Sequence, residues 1–140
     1  MIDPLRSSSE VIRFAGYAGL FDIPDAGRDT IRPGAFAASL AKRAGPIPLL
    51  WQHRPDQRIG EIELAAEDAR GLRVIGRIER VASRAAQMLR AQLVSGLSFG
   101  YRAREARHHE AGRELIAIDL FEVSLVTHPL QHGARVHLVT

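Results

Sequence analysis

The sequence predicts a mainly β fold with some α-helix (α+β), in which an antiparallel β-barrel, closed or nearly closed, has helices packed outside it. Three observations predict this fold. Several segments alternate apolar and polar side chains, as half-buried strands do. Only two segments have helical spacing, and strands do not alternate regularly with helices as a doubly wound parallel sheet would require. We therefore expect about six strands and two helices in this chain.

The first part of the chain predicts a bent strand followed by a short helix. Residues 11–22 (VIRFAGYAGLFD) mix β-branched and aromatic side chains with glycines, so the strand should bulge at Gly16 and Gly19. After a loop rich in turn residues, helix-forming residues fill 35–44. Gly45 is a plausible C-terminal cap for that helix.

The middle of the chain predicts a strand, a hairpin and a second helix. Residues 46–53 (PIPLLWQH) have the apolar run of a strand, and we expect Pro55 and Asp56 to turn the chain after it. Residues 58–68 and 71–79 alternate as two antiparallel strands joined by a turn. A helix over 84–93 follows, with Ser83 as its N-cap and Gly96 at its end.

The last part predicts a long hairpin. Residues 98–109 alternate again, and a turn is expected at 110–112. Residues 114–129 (ELIAIDLFEVSLVTHP) carry apolar side chains on both faces, which is typical of a central strand buried on both sides.

Length and composition are those of one globular domain. The chain has 140 residues, of which 46% are hydrophobic and 25% charged. Cysteine is absent, so disulfides, thiol nucleophiles and cysteine zinc sites are excluded. We expect residues 1–10 to form a flexible N-terminal arm and residues 11–140 to form a single domain.

Charge and hydropathy disfavour two classes of partner. The net charge is +3, but the basic residues are scattered among acids, so we expect no direct binding to nucleic acid. No apolar run approaches the roughly 20 residues that cross a bilayer, so we expect no membrane partner.

Ser98 is the candidate nucleophile. It lies between Gly96 and Gly100 in the sequence GLSFG, a pattern typical of a serine on a tight turn where backbone amides approach an oxyanion. The alternative is a glycine-flanked turn in which Ser98 only bonds nearby backbone.

His53 is the candidate base. At the end of a predicted strand it would share a face with Trp51 and Leu49, which would leave it partly buried. The alternative is a structural histidine. We expect no metal pair at His108 and His109, because adjacent strand residues face opposite ways.

Glu122 is the candidate third member of a catalytic triad with Ser98 and His53. It interrupts an apolar stripe of the last long strand, and a carboxylate placed there needs a cationic or hydrogen-bonding partner. That partner would be either an arginine or the imidazole of His53, whose tautomer Glu122 would then fix. Asp119 and His128 compete for the same role.

Four segments in this order carry a family resemblance: GYAGLFDIPDAGRDTIRPGAF, PLLWQH followed by RIGEIE, LVSGLSFGYRA and IDLFEVSLVTHP. With them the chain resembles the prohead maturation proteases of tailed bacteriophages and of gene transfer agents over almost its whole length. The resemblance implies a serine endopeptidase with a fold similar to the herpesvirus assembly proteases. Residues 11–140 would then be the protease domain.

The resemblance also implies a site. The family's histidine matches His53, its serine matches Ser98 and its acidic residue matches Glu122; no cofactor or metal is needed. Herpesvirus enzymes use a second histidine as third member, which keeps His128 as an alternative.

The resemblance implies partners and a location. Such proteases cleave scaffold, or the N-terminal scaffold-like region of the major capsid protein, and often themselves. They do so inside the procapsid, in the cytoplasm of the bacterial host. A homodimer is also implied.

Two other functions fit some of these residues. A small esterase would use the GxSxG pattern with the order Ser98, Asp119, His128, but its serine must follow a strand and precede a helix, the reverse of the order predicted here. A catalytically idle barrel that binds scaffold during capsid assembly would keep the same residues as structure.

Overall fold

Eight strands form one curled mixed sheet in residues 11–140, the part of the chain that the computed structural model describes, and two short helices lie beside it. The predicted arm at residues 1–10 lies outside the described residues. In chain order the elements are β1 (Ile12–Leu20), β2 (Asp29–Ile31), α1 (Ala37–Lys42), β3 (Ile47–Trp51), β4 (Arg54–Glu67), β5 (Gly71–Ile78), α2 (Arg84–Arg90), β6 (Gly96–His109), β7 (Gly112–Val126) and β8 (Val136–Val139).

The strand order is β2-β7-β3-β4-β5-β1-β8, and β6 pairs with β7. Three pairs of consecutive strands form antiparallel hairpins: β3 with β4, and, as predicted, β4 with β5 and β6 with β7. However, β2 and β3 run parallel to β7. The prediction of a mainly β fold is confirmed, whereas the prediction of a purely antiparallel sheet is wrong. The two parallel pairs join segments far apart in sequence, where no tight turn dictates direction.

The sheet is curled into a half-barrel, whereas the sequence predicts a closed or nearly closed barrel. Its two ends, β6 and β8, meet only where β6 begins: the Leu97 amide donates to the Ala134 carbonyl at 2.8 Å and the Val136 amide to the Ser95 carbonyl at 2.8 Å. A single bridge joins Gly96 to Arg135 there. Beyond that point β6 and β8 share no ladder within the described residues, because β8 ends after four residues.

The concave face of the sheet carries the core, and β7 shows how alternation divides the two faces. Val123 and Leu125 are fully buried in the core. Glu122 and Ser124, one residue out of phase with them, therefore project from the other face. Among the largest buried side chains of the core are Phe14, Phe36, Leu49, Leu72, Leu97 and Ile118.

The helices are shorter than predicted, and two strands were not predicted at all. Ser83 caps α2 as expected, since its Oγ accepts a hydrogen bond from the Ala86 amide at 3.2 Å. The α1 helix buries no side chain, but the Ser39 hydroxyl accepts from the Leu120 amide at 2.9 Å and so covers an edge of β7. The short strands β2 and β8 exist through pairing with β7 and β1, which local sequence does not reveal.

Candidate active site

His53 lies in a two-residue turn between β3 and β4. Gln52 and His53 have φ angles of +51° and +60°, and Trp51 pairs with Arg54 across the turn. A two-residue type I′ hairpin turn, whose twist matches that of the flanking strands, requires a positive φ at both central residues. The sequence-based interpretation, a strand running through His53 and a turn at Pro55, is therefore wrong.

Contacts with the end of β7 hold this turn in place. The Gln52 amide donates to the Leu125 carbonyl at 2.9 Å. The Gln52 side-chain oxygen accepts from the Thr127 amide at 3.1 Å, and the Gln52 side-chain nitrogen donates back to the Thr127 hydroxyl at 2.5 Å. Residues other than glycine pay a cost in the left-handed region, so these bonds offset the strain of the turn.

The structure brings His53 and Glu122 together. Nδ1 of His53 lies 2.6 Å from Oε1 of Glu122. A carboxylate only accepts, so the imidazole donates from Nδ1 and keeps its lone pair on Nε2, the tautomer a general base needs. The Glu122 side chain is 13% exposed and that of His53 is 41% exposed, so the pair is set into the surface.

The Glu122 carboxylate raises the pKa of the His53 imidazole. Its hydrogen bond to the ring favours the charged imidazolium and outweighs the opposing effect of burial, while the charge of Glu122 acts in the same direction. Within the described residues, no other charged group contributes to this shift.

Ser98 lies on the same face of the sheet as Glu122. In the register of β6 with β7, Ser98 is directly opposite Ser124 and Gly100 is directly opposite Glu122. Diagonal neighbours on one face of an antiparallel pair lie roughly 7–8 Å apart, a gap that an imidazole ring can bridge. Ser98 is 7% exposed, and its hydroxyl has no hydrogen-bond partner, His53 included, within residues 11–140.

Ser98 is the third residue of β6 rather than part of the predicted tight turn. Helix α2 precedes it and the strand continues after it to His109. The elbow of a GxSxG esterase needs a strand before the serine and a helix after it, so this arrangement does not fit the esterase alternative.

Two further residues belong to the site that sequence reasoning missed. The Ser124 hydroxyl donates to the second carboxylate oxygen of Glu122 at 2.6 Å and accepts from the His53 amide at 3.2 Å. Gly100 leaves the space into which the Glu122 carboxylate fits. The signal was present, because Ser124 shares the apolar stripe of Glu122 and follows it by two residues.

Neither alternative to Glu122 is bonded to His53 in residues 11–140. Asp119 forms ion pairs with Arg102 at 3.0 Å and Arg104 at 3.7 Å, on the exposed part of the long hairpin. His128 is exposed and, in the part of the chain described, has no side-chain hydrogen bond. Of the three candidates, Glu122 alone bonds to His53 within the described residues.

The described residues hold no group of three or more His, Asp or Glu side chains arranged for a metal ion. Neither of the helices in residues 11–140 is long and apolar enough to cross a membrane.

The fold is that of the herpesvirus proteases. The chain superposes on the protease of Kaposi's sarcoma-associated herpesvirus (KSHV), in complex with a hexapeptide phosphonate inhibitor, with a TM-score of 0.64 and 13% identity. This match covers 94% of this chain and 65% of that one. The varicella-zoster virus protease gives a TM-score of 0.59 at 19% identity, covering 91% and 64%. At these identities the likeness concerns the fold alone.

Sequence identifies the family. Residues 3–140 match the family described as caudovirus prohead serine protease, and the chain belongs to that family. It is 30% identical over 124 residues to the capsid polyprotein of Pseudomonas phage PAJU2, which covers 81% of this chain and 18% of that protein. It is 34% identical over 92 residues to the prohead protease of Enterobacteria phage HK97, which covers 63% and 41%. The matches thus span less than half the length of both relatives.

Proposed function

We propose that this chain is a serine endopeptidase in which Ser98 is the nucleophile, His53 the general base and Glu122 the group that orients His53. The observation that carries the proposal is the 2.6 Å hydrogen bond between His53 and Glu122 on the sheet face that also presents Ser98. Membership of the prohead serine protease family supports it.

The chemistry follows from the tautomer of His53. Nε2 takes the proton of the Ser98 hydroxyl as its oxygen attacks the scissile carbonyl carbon, and the imidazolium that forms is stabilised by Glu122. Collapse of the tetrahedral intermediate expels the amine, to which His53 returns the proton. Water then attacks the acyl-enzyme, and His53 again acts as base.

The unbonded hydroxyl of Ser98 is compatible with this scheme. No competing hydrogen bond within the described residues has to break before the hydroxyl turns toward Nε2. Catalytic hydrogen bonds are often long or unformed without substrate and tighten in the complex.

For the substrate we propose scaffold, or the N-terminal scaffold-like region of the major capsid protein, cleaved inside the procapsid in the host cytoplasm, with self-processing. Relatives named prohead protease and capsid polyprotein support a capsid protein as the substrate class. The source would be a tailed phage or a gene transfer agent.

The test is co-expression of the chain with the capsid protein encoded in the same gene cluster, followed by the mass and N-terminal sequence of that capsid protein. Ser98→Ala removes the nucleophile. Ser95→Ala is the matched control, since Ser95 precedes the same strand and its hydroxyl, within the described residues, accepts a single hydrogen bond, from Arg135 at 3.1 Å.

A shortened capsid protein with the wild type and with Ser95→Ala, but not with Ser98→Ala, supports the proposal. Cleavage that survives Ser98→Ala overturns the nucleophile assignment. A capsid protein that stays intact in every case and co-purifies with the chain would instead favour the idle assembly barrel.

We also propose that the chain acts as a homodimer, as the resemblance to herpesvirus proteases implies. Sedimentation velocity over a concentration series, run alongside peptide cleavage, tests this. Activity should rise with the dimer fraction, and full activity of a pure monomer would contradict the proposal.

A further inference from the structure

We propose that Ser124 is a positioning residue for the reaction proposed above, and that its hydroxyl fixes both the side chain of Glu122 and the backbone of His53. Ser124 is fully buried and lies two residues after Glu122 on β7. One oxygen atom therefore touches both partners of the histidine–carboxylate pair.

The direction of each hydrogen bond follows from the chemistry of the groups. A hydroxyl has one proton and two lone pairs. The Glu122 carboxylate only accepts, so the Ser124 proton points at Oε2, and the backbone amide of His53 only donates, so it points at a lone pair of Ser124. These two assignments are compatible, and together they leave the hydroxyl one orientation.

The carboxylate is held at both oxygens. Oε1 of Glu122 accepts from Nδ1 of His53 and Oε2 accepts from Ser124, each at 2.6 Å. The last torsion of a glutamate side chain is broad and roughly two-fold when nothing restrains it. The bond from Ser124 therefore sets the plane of the carboxylate and keeps Oε1 aimed at the ring.

The same hydroxyl also restrains the backbone from which the imidazole projects. His53 has a φ of +60°, a conformation that side chains other than glycine reach at a cost, and its amide donates to Ser124 at 3.2 Å. Ser124 thus restrains the ring of His53 indirectly, through Glu122, and restrains the backbone of His53 directly. Both restraints start from the same hydroxyl on β7.

Packing alone does not call for a serine at this position. A fully buried hydroxyl costs free energy unless it is hydrogen-bonded, and alanine would fill almost the same space without that requirement. The only side-chain hydrogen bonds of Ser124 within the described residues are those to His53 and Glu122. The polar group therefore serves the pair rather than the core.

The test substitutes Ser124→Ala and, as a second variant, Ser124→Cys, which has the same shape with a somewhat larger atom and supplies only a weak donor. Ser39→Ala is the matched control, because its hydroxyl also bonds β7, at the Leu120 amide, but touches neither His53 nor Glu122. Peptide cleavage gives kcat and KM. Proton NMR of the imidazole in the Ser98→Ala background gives the titration of His53 without any dependence on activity.

We expect both Ser124 variants to lower kcat by about 10- to 100-fold, the range found when a residue that hydrogen-bonds to a metal ligand is replaced, with KM within about twofold. The His53 titration should move to lower pH, because a carboxylate that is free to turn holds the ring proton less well. Ser39→Ala should leave both quantities as in the wild type.

Ser124 variants that fold, titrate like the wild type at His53 and keep its kcat overturn the positioning role. The outcome is separable from that of the proposed function. If the His53 titration shifts in the Ser124 variants but the wild-type chain cleaves no peptide, the role of Ser124 is supported and the protease proposal is not. If the wild-type chain is an active protease but the titration does not shift, the protease proposal is supported and the role of Ser124 is not.

Discussion

The carboxylate of Glu122 occupies the space that a side chain at Gly100 would fill. A Cβ atom built at Gly100 would lie 2.3 Å from Oε1 of Glu122 and 2.9 Å from its Cγ and Cδ. The two residues are direct partners in the β6–β7 register, so the absence of a side chain on one strand makes room for the acid on the other.

Gly100→Ala should therefore abolish the His53–Glu122 hydrogen bond while the chain still folds. The clash is with a side chain, which can swing away, rather than with backbone. We expect at least a 10²-fold loss of kcat, in the range for loss of an orienting acid, with a destabilisation of only about 1–2 kcal/mol.

The control for this substitution is Gly45→Ala, because, apart from its chain neighbours, no atom of residues 11–140 lies within 4 Å of a Cβ built at Gly45. Peptide cleavage and urea unfolding should be measured for both variants. Wild-type activity in folded Gly100→Ala would show that the Glu122 geometry is not needed.

Glu122→Gln should reduce kcat far more than Asp119→Asn. Glutamine at position 122 keeps the size but loses the charge that stabilises the imidazolium, and we expect a loss of about 10³- to 10⁴-fold. Asp119 pairs with two exposed arginines and, within the described residues, forms no bond with His53, so Asp119→Asn should keep kcat within about threefold and cost about 0–1 kcal/mol of stability. The reverse ranking in steady-state kinetics would move the third role to Asp119.

The pH dependence of both activity and stability should report the raised pKa of His53. The base must be neutral, so the rising limb of kcat/KM should lie above the ordinary imidazole value of 6.5, and Glu122→Gln should return it toward that value. A limb at the same pH in both proteins would contradict this assignment.

The contribution of His53 to the free energy of unfolding should fall as pH rises, whereas kcat/KM should increase. Because the pKa of His53 is higher in the folded than in the unfolded chain, its bond to Glu122 stabilises fully below the unfolded value, and the effect is lost as pH rises through the folded value. Urea unfolding should show a larger gap between wild type and Glu122→Gln at pH 5 than at pH 9. An equal gap at both pH values would exclude His53 as the source.

Alternation predicted the parts of the fold that pair locally. Two predicted hairpins, β4 with β5 and β6 with β7, have short turns and strands that bury one face each. Their register therefore follows from residues that are close in sequence. The same stripes marked Glu122 as a carboxylate that needs a partner. The partner itself depends on β3 lying parallel to β7, a contact between segments far apart in sequence.

The turn at His53 shows where local signals fail. Pro55 indicates a turn in the sequence. In the structure Trp51 pairs with Arg54 and Leu50 pairs with Arg58, so Pro55 lies in a bulge of β4. Proline has no backbone N–H to donate, and none is needed in that bulge. The real turn uses two residues without glycine, which only the tertiary bonds to the end of β7 make tolerable.

Gln131 is a second structural feature that local pattern does not reveal, and its loss should destabilise the fold. It is 7% exposed, and its side chain accepts from the Leu20 amide at 2.7 Å and donates to the Leu20 and Ile23 carbonyls at 2.9 Å each. It thus joins the end of β1 to the segment that leads into β8.

Gln131→Leu keeps the size of the side chain but removes its hydrogen bonds to these backbone groups. Because leucine fills the same space, water cannot enter to replace those bonds. An unsatisfied buried group costs about 1–3 kcal/mol, and the Leu20 groups are the more deeply buried, so we expect a loss of about 2–4 kcal/mol in urea unfolding. Gln87→Leu, which removes one exposed bond to the Ala82 carbonyl, is the control and should cost less than about 0.5 kcal/mol. Equal stabilities for the two variants would show that the junction of β1 with the C-terminal segment does not depend on Gln131.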